Sequence, residues 1–270
     1  MKFGIDISTF QGNLNLDVAK EEGVEFVIVR GGFTGVNKKY AVDDKFLDFY
    51  KKAKEINMPI GVYYFSRATS YEEGENEAKF LYENCLKNRI FEYPIFIDVE
   101  DPIYQKNASK NDITNAIKGF CNYIESKNGY ASIYCNLDWA NNHMDYTALK
   151  DKYDFWLADW SKDKPNVDKY KYGMWQFGGS ENYIRSNKID NKICDEDYAF
   201  KDYPKIMSSK NLNVFTTNLD NNKENIEKDI ENELEEEVKE ELYENKNKIF
   251  NLIINFFKKL IGIIFLKTKK

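Results

Sequence analysis

Short apolar or aromatic runs alternate with amphipathic helical patterns along this chain, and this alternation constrains its fold more than any other feature. The runs with the length and composition of strands are FGIDIS, FVIVRGG, IGVYYFSRA, YPIFIDVE, YASIYCN, FWLADW, YGMWQF and, more weakly, ICDEDYAF. Helical patterns cover residues 43–57, 71–87 and 110–127. Strands that alternate with helices form a parallel sheet, and about eight of them close into a barrel. The later connections lack long helical patterns, so we predict an α/β fold, an irregular TIM-like (β/α) barrel.

Charged side chains stand at or near the ends of these predicted strands. They are Asp6, Arg30, Arg67, Asp98, Glu100, Asp159 and Asp195. In such barrels the functional site lies at the carboxyl ends of the strands. In YPIFIDVEDP, Asp98 and Glu100 are two positions apart, so both side chains point to one face. Asp101 and Pro102 then suit the start of a helix or turn, with Asp101 as a structural cap.

The pair Asp98 and Glu100 is compatible with three kinds of site. A glycosidase needs two carboxyl groups at the scissile bond, and crowded carboxylates keep one of them protonated near neutral pH. Asp6 could join them, and the longer Glu100 suits the proton donor. The same acids could instead pair with Arg30 and Arg67 as a structural network, or bind magnesium. The residues alone leave these interpretations open.

Charge, cysteine and histidine exclude several other classes of function. A net charge of −6 gives no support for nucleic-acid binding, which usually needs a basic face. Cysteines at 85, 121, 135 and 194 include no CxxC pair, which argues against a zinc site and favours buried thiols over disulfides. His143 is the only histidine, and its context, WANNHMDY, predicts a structural role. Acid–base chemistry in this chain is therefore expected to belong to carboxylates, without a metal or cofactor.

The composition divides the chain into three segments, 1–205, 206–247 and 248–270. The first begins with MKFGIDISTF, which has no apolar h-region and so predicts a strand, not a secretory signal peptide. Residues 220–247 hold twelve acids against four lysines, a net charge of −8, which indicates a solvated helix or spacer.

The last segment, KIFNLIINFFKKLIGIIFLKTKK, is apolar and basic. Asn251, Asn255, Lys258 and Lys259 share one stripe of a helix, and Gly262 continues it. Adjacent lysines near the middle disfavour a bilayer span, by about 2.5–3.5 kcal/mol each. We therefore predict that 248–270 lies on an anionic membrane surface, with docking on the barrel or self-association as the alternative.

The strand runs also carry a resemblance to a known family. GIDISTFQG resembles the opening D-x-S-x-x-Q-G motif of glycoside hydrolase family 25, the lysozymes of phage endolysin and bacterial muramidase type. FVIVRGG, GVYYFSRA, FIDVE, SIYCN, WLADW and MWQF are similar to its later blocks in the same order, so the resemblance covers about residues 3–200. It implies a retaining N-acetylmuramidase that hydrolyses the β-1,4 bond between N-acetylmuramic acid and N-acetylglucosamine in peptidoglycan. Such an enzyme acts on the cell wall, after release by lysis or by non-Sec export.

Carried onto matching positions, the resemblance implies that Glu100 is the general acid. Asp98 would be the nucleophile or would orient the acetamido group of the substrate, and Asp6 and Asp195 would complete the acidic rim. The last block departs from the family, where it usually reads V-D-x-N. Here CDEDYAF has Asp197 in place of the amide, which adds negative charge and makes Asp197 the alternative fourth acid.

Aromatic residues at strand ends could pack against the apolar faces of sugars, although most aromatics in a barrel are core. The predicted substrate-binding residues are Tyr63, Phe65, Arg67, Tyr134, Trp156, Asp159, Trp175 and Gln176, while Trp160 recurs in the same setting. The alternatives to a muramidase are a catalytically inactive peptidoglycan-binding module and a membrane-anchored interaction protein.

Overall fold

A computed structural model of the chain describes residues 1–160, 165, 169–179 and 188–216. Its strands are β1 (Lys2–Ile7), β2 (Phe26–Thr34), β3 (Tyr40–Val42), β4 (Ile60–Phe65), β5 (Ile95–Asp98), β6 (Ala131–Asn136), β7 (Asp154–Ala158), β8 (Met174–Gly178), β9 (Lys188–Ile189), β10 (Lys192–Ile193) and β11 (Asp195–Ala199). Its helices are α1 (Leu16–Glu21), α2 (Phe46–Glu55), α3 (Tyr71–Leu81), α4 (Lys110–Ser126), α5 (Leu137–Asn142), α6 (Tyr146–Leu149) and α7 (Tyr203–Lys210). A π-helical turn, Tyr82–Leu86, extends α3.

Eight of these strands form a closed barrel in the order β1-β11-β8-β7-β6-β5-β4-β2, and pairing of β1 with β2 closes the ring. The strand β3 pairs with β2 outside the ring, and β9 with β10 forms a small hairpin. All eight predicted strands are present, and the three predicted helical patterns correspond to α2, to α3 with its π-helical turn, and to α4. The predicted irregular barrel is therefore confirmed.

The last strand departs from the predicted parallel sheet, because β11 runs antiparallel to both β1 and β8. No crossover helix is described between β8 and β11, so the chain re-enters the ring from the end at which β8 left it. As a result the first residue of β11, Asp195, lies at the same end as the carboxyl termini of the parallel strands.

Strands such as β2 are apolar over long runs because alternate residues pack in two layers, one inside the barrel and one under the surrounding helices. In β2, Phe26 and Ile28 face the barrel interior, while Val27 and Val29 pack under the surrounding helices. The interior residue Gly4 of β1 leaves room for the ring of Phe26, since a Cβ there would lie 2.4 Å from it. Both layers of packing around the strands are therefore largely apolar.

The compact unit continues to Thr216, beyond the boundary at 205 drawn from composition. Tyr203 and Met207 of α7 join the interior cluster of the barrel. Asn213 follows, with Nδ2 donating to the carbonyl oxygen of Tyr93 at 2.8 Å, so these residues pack on the barrel. Residues 217–270, with the acidic segment and the apolar-basic tail, lie outside the described residues. Among the residues described, no helix is long and apolar enough to cross a bilayer.

Candidate active site

A cavity of about 640 Å³ opens at the carboxyl ends of the parallel strands. Ten of the predicted site residues line it: Asp6, Tyr63, Phe65, Arg67, Asp98, Glu100, Tyr134, Trp156, Gln176 and Asp195. They come from β1, β4, β5, β6, β7, β8 and β11 and from the segments that follow β4 and β5. The fold thus brings together side chains that are up to 189 positions apart in the sequence.

The carboxyl groups of Asp98 and Glu100 both face this cavity, as their i, i+2 spacing predicts. Asp98 is the last residue of β5 and is only 5% exposed, whereas Glu100 is partly exposed beyond the strand end. The Oδ1 atom of Asp98 is buried and has no hydrogen-bond partner in the described part of the chain. It is therefore an acceptor that a substrate donor could satisfy.

The two arginines at the cavity bind other acids. The Nε atom of Arg30 donates to Asp43 at 2.7 Å, and that of Arg67 donates to Asp101 at 2.6 Å. Asp101 also accepts backbone N–H groups of the turn that follows it, among them that of Ile103 at 3.1 Å, which confirms its predicted cap role. The alternative interpretation, in which these arginines pair with the cavity acids as a structural network, is therefore not supported.

With few neutralising contacts, the cavity acids bind protons more tightly than free acids do. Burial raises the pKa of Glu100 to about 7, with the charge of Asp195 as a second cause, although a hydrogen bond from Asn136 opposes the shift. Burial also raises the pKa of Asp195 to about 7. The pKa of Asp98 is raised by burial first and then by Glu100 and Asp6, while Arg30 opposes the shift. The site can therefore hold protonated carboxyl groups near neutral pH.

Side-chain amides orient the acids on either side of Asp98. The Nε2 atom of Gln176 donates to Asp6 at 2.8 Å, and the hydroxyl of Tyr134 donates to Oε1 of Gln176 at 3.0 Å. The Nδ2 atom of Asn136 lies 3.5 Å from Glu100, and the Oδ1 atom of Asn136 caps α5. Because both amides are fixed by a second contact, they hold the carboxyl groups in defined orientations.

The position of the Asp195 carboxyl group requires a glycine at residue 179, directly after β8. A Cβ on Gly179 would lie 1.7 Å from Oδ1 of Asp195, and the φ of this glycine, +156°, is rare for other residues. The carboxyl group thus occupies space that any larger residue would fill.

Two predicted binding residues are not among those that line the cavity. Trp175 lies between the inward-facing Met174 and Gln176 of β8, so its ring points outward and packs against Phe177 and Tyr198. Its indole N–H donates to the backbone carbonyl of Asp159, the other predicted residue, at 2.8 Å. Trp160 also lies outside the lining, where its indole donates to Gln176 at 3.1 Å.

Phe10, in the motif that opens the chain, also lines the cavity and is not among the predicted site residues. Ser8 and Gln11 form a capping box around the 3₁₀ turn Thr9–Gln11, which accounts for the S-x-x-Q spacing of that motif. This turn presents Phe10, 83% exposed, at the cavity. The guanidinium of Arg30 lies 4.9 Å from its ring centroid and so supports the ring from behind. The signal available in the sequence for this residue was an aromatic side chain within the S-x-x-Q capping motif.

The remaining candidates for chemistry lie elsewhere. His143 packs on Trp139 and its Nε2 atom lies 3.4 Å from Asp138, away from the cavity lining. The four cysteines are free and buried, as predicted. In the part of the chain that the structure describes, no three His, Cys, Asp or Glu side chains are grouped so that they could hold a metal ion.

Comparison with known proteins identifies a family. The family model described as glycosyl hydrolases family 25 matches residues 5–186. The autolytic lysozyme of Clostridium acetobutylicum is 29% identical over 184 residues, which are 67% of this chain and 52% of that protein. Lysozyme M1 of Streptomyces globisporus is 25% identical over 204 residues, which are 69% of this chain and 67% of that protein. The chain therefore spans about half the length of the first of these relatives.

Solved structures show the same fold. The crystal structure of the bacterial lysozyme from Streptomyces coelicolor matches with a TM-score of 0.63 at 21% identity. The match covers 80% of this chain and 97% of the other.

Proposed function

Because this chain belongs to glycosyl hydrolases family 25, we propose that it is a lysozyme, a retaining N-acetylmuramidase that hydrolyses the β-1,4 bond between N-acetylmuramic acid and N-acetylglucosamine in peptidoglycan. One observation carries the proposal: Asp98 and Glu100 face one cavity together, and the nearby arginines bind other acids. A glycosidase needs such a pair, one group protonated and one available as a nucleophile or stabiliser. The names of the two curated relatives, both lysozymes, support the same activity.

Glu100 is the general acid of this proposal. Its pKa of about 7, raised mainly by burial, leaves a large fraction of the carboxyl groups protonated near neutral pH and so available as proton donors. Asn136 contacts Oε2, which orients the group and leaves Oε1 for the glycosidic oxygen.

Asp98 works from deeper in the cavity, by one of two routes. As a nucleophile it would form a covalent glycosyl-enzyme intermediate. As an orienter, its Oδ1 atom, which has no partner among the described residues, would accept the N–H of the substrate acetamido group. The second route uses an acceptor that is already buried and unsatisfied, a costly state unless a ligand completes it.

The lining suits a sugar chain. Exposed rings pack against the apolar faces of pyranoses, and Phe10, Tyr63 and Phe65 all line the cavity, with Phe10 83% exposed. Tyr134 and Gln176 supply polar atoms at the floor. Arg67 shapes this wall, because its guanidinium is bound to Asp101 and its Nη1 atom to the carbonyl oxygen of Thr34 at 2.6 Å.

Purified peptidoglycan provides the test. The enzyme should lower the turbidity of a wall suspension and release new reducing ends on muramic acid. New amino termini would point to an amidase or a peptidase and contradict the proposal. Binding without release of sugar ends would favour the inactive wall-binding alternative, which lacks a chemical reason for four clustered carboxyl groups.

We also propose that residues 248–270 bind an anionic membrane surface. The support is sequence alone: an apolar helical surface, two adjacent lysines in the middle and four more lysines at its ends. Deleting 248–270 should leave hydrolysis of isolated wall unchanged and remove co-sedimentation with anionic vesicles at low salt. If the full chain does not co-sediment with such vesicles, the membrane role is wrong.

A further inference from the structure

The carboxyl group of Asp197 lies beneath the cavity, beside that of Asp6. In the antiparallel pairing of β1 with β11, Asp6 is opposite Asp195, and Asp197 is opposite Gly4. Asp195 and Asp197 are two positions apart on β11, so both face the barrel interior and flank Asp6. Asp197 is fully buried, whereas Asp6 reaches the cavity lining.

Only one oxygen of Asp197 has an ordinary donor. Its Oδ1 atom accepts the indole N–H of Trp156 at 2.7 Å. Its Oδ2 atom is buried and has no hydrogen-bond partner in the described part of the chain. Across the pairing of β1 with β11 its neighbour is the carboxyl group of Asp6, and a hydrogen bond between the two acids contributes to the pKa shift of each. Because ionised carboxylates only accept hydrogen bonds, a bond between these two acids requires a proton on one of them.

The charges around Asp6 and Asp197 also indicate that these two acids share one proton. Neither acid forms an ion pair within the described residues, and Arg30, which lines the same cavity as Asp6, is bound to Asp43 at 2.7 Å. The titratable groups that face Asp197 are Asp6 from β1, Asp195 from β11 and Tyr93 from the segment before β5. Trp156 of β7 and Gln176 of β8 complete the surroundings. Two ionised carboxylates in such a place would be strongly destabilising, and one shared proton removes half of that charge.

The proton belongs to Asp197. Each acid accepts one hydrogen bond that lowers its pKa, from Gln176 at 2.8 Å for Asp6 and from Trp156 at 2.7 Å for Asp197, so these donors do not separate the two. Burial separates them, because Asp197 is fully buried whereas Asp6 reaches the cavity lining, and burial disfavours the charged form more at Asp197. Asp6 is thus the ionised partner and Asp197 the donor.

We propose that Asp197 is a positioning residue that acts as a neutral carboxylic acid, its O–H donating to Asp6 and holding that carboxylate against the cavity. A side-chain amide would make the same bond, which explains how this chain keeps its site with Asp197 where the V-D-x-N motif has asparagine. The inference rests on the proposed function, because it assigns Asp197 to the support of an acid of that same site.

Three variants test the proposal through wall hydrolysis. Asp197→Asn keeps a donor of the same shape, so its kcat/KM near neutral pH should stay within about threefold of wild type. Asp197→Leu keeps the branched shape of the side chain but lacks the donor, and should lose about 10²-fold, as expected for one positioned donor. Asp48→Asn, at an exposed acid of α2, is the control for an Asp-to-Asn change outside the site and should behave as wild type. Equal losses in the Asn and Leu variants would overturn the proposal.

The pH profile separates positioning from packing. Above the pH at which Glu100 loses its proton, wild type should decline more steeply than Asp197→Asn, because only wild type also loses the proton of Asp197. Superimposable profiles would contradict this.

Two further readouts require no activity. The infrared difference spectrum of wild type minus Asp197→Asn near neutral pH should contain the carbonyl band of one neutral carboxylic acid, because the other buried acids contribute equally to both proteins. The melting temperature of Asp197→Asn should exceed that of wild type increasingly as pH rises above 3.8, the ordinary value for Asp, because wild type must then retain a proton to fold. Absence of both effects would overturn the inference even in an active enzyme. An inactive wild type that showed both would instead contradict the proposed function alone.

Discussion

Arg30 is bound to Asp43 and not to an acid of the cleft: its Nε and Nη2 atoms each lie 2.7 Å from the same carboxylate oxygen. Asp43 is buried, so this ion pair fixes the arginine on the wall of the cavity. The acids Asp6, Asp98 and Glu100 therefore share a site in which protons, more than cations, limit their mutual repulsion. Several consequences can be measured.

Glu100→Gln should abolish hydrolysis and leave wall binding intact. The amide keeps the shape of the side chain but cannot supply a proton, and general acid catalysis contributes about 10²–10⁴-fold. The measurement is the release of reducing ends alongside co-sedimentation with insoluble wall. Glu55→Gln, an exposed change on α2, is the matched control and should behave as wild type. Near-normal lysis by the Glu100 variant would refute its role.

Asp98→Asn should reduce kcat nearly as much as loss of Glu100 does. In either proposed role the charge of Asp98 stabilises the transition state, and an amide lacks that charge. Mass spectrometry of quenched turnover can decide between the roles, since a glycosyl group is attached to Asp98 only if it is the nucleophile. A variant with wild-type kcat would exclude both roles.

Stability should fall as pH rises, and Glu100 should contribute to that fall. The pKa of its side chain is raised from 4.5 to about 7, so the folded chain holds a proton that the unfolded chain releases. This stabilisation is complete below 4.5 and is lost as pH rises through 7. Urea denaturation should therefore show Glu100→Gln becoming more stable relative to wild type between about pH 5 and pH 8. Parallel curves for the two proteins would contradict the raised pKa.

Activity should survive chelation. The proposed reaction uses carboxyl groups alone, and a magnesium site at Asp98 and Glu100 is the competing interpretation of the same residues. Wall hydrolysis should be unchanged after dialysis against EDTA. Loss of activity that magnesium or zinc restores would favour the metal site.

Asp101→Ala should lower the free energy of unfolding by about 3–5 kcal/mol, because it leaves the buried charge of Arg67 without its partner. Asp101 is fully buried and also accepts the backbone N–H groups that form the turn after it. Equilibrium unfolding in urea measures the loss. Asp151→Ala, which removes an exposed ion pair with Lys171, should cost less than about 1 kcal/mol. Similar losses in both variants would argue against the structural role of Asp101.

The sequence was sufficient to predict the barrel, its eight strands and the convergence of Asp6, Asp98, Glu100 and Asp195, because strand ends and i, i+2 spacing are local properties. The direction of β11 was not predictable in this way. It depends on the path between β8 and β11, which has no strong local pattern.

Trp175 illustrates a second limit. An aromatic residue in one of the predicted strand runs is expected near the site. Whether its ring faces the interior or the exterior of the barrel depends on the register of the strand. Met174 and Gln176 face inward, so Trp175 faces outward. The acidic partners of Arg30 and Arg67 were missed for a related reason, since Asp43 and Asp101 lie in loops whose paths are set by tertiary packing.

The antiparallel strand β11 also determines when, during synthesis of the chain, the acidic site can be completed. It fills the gap between β1 and β8, so the ring cannot close until residue 199 has been synthesised. Only then does Asp6, near the start of the chain, meet Asp195 in the paired register. A chain interrupted during translation, or cleaved before β11, holds Asp98 and Glu100 without the acid that β11 contributes to the rim. Nascent and truncated forms that lack β11 therefore cannot assemble the full acidic site.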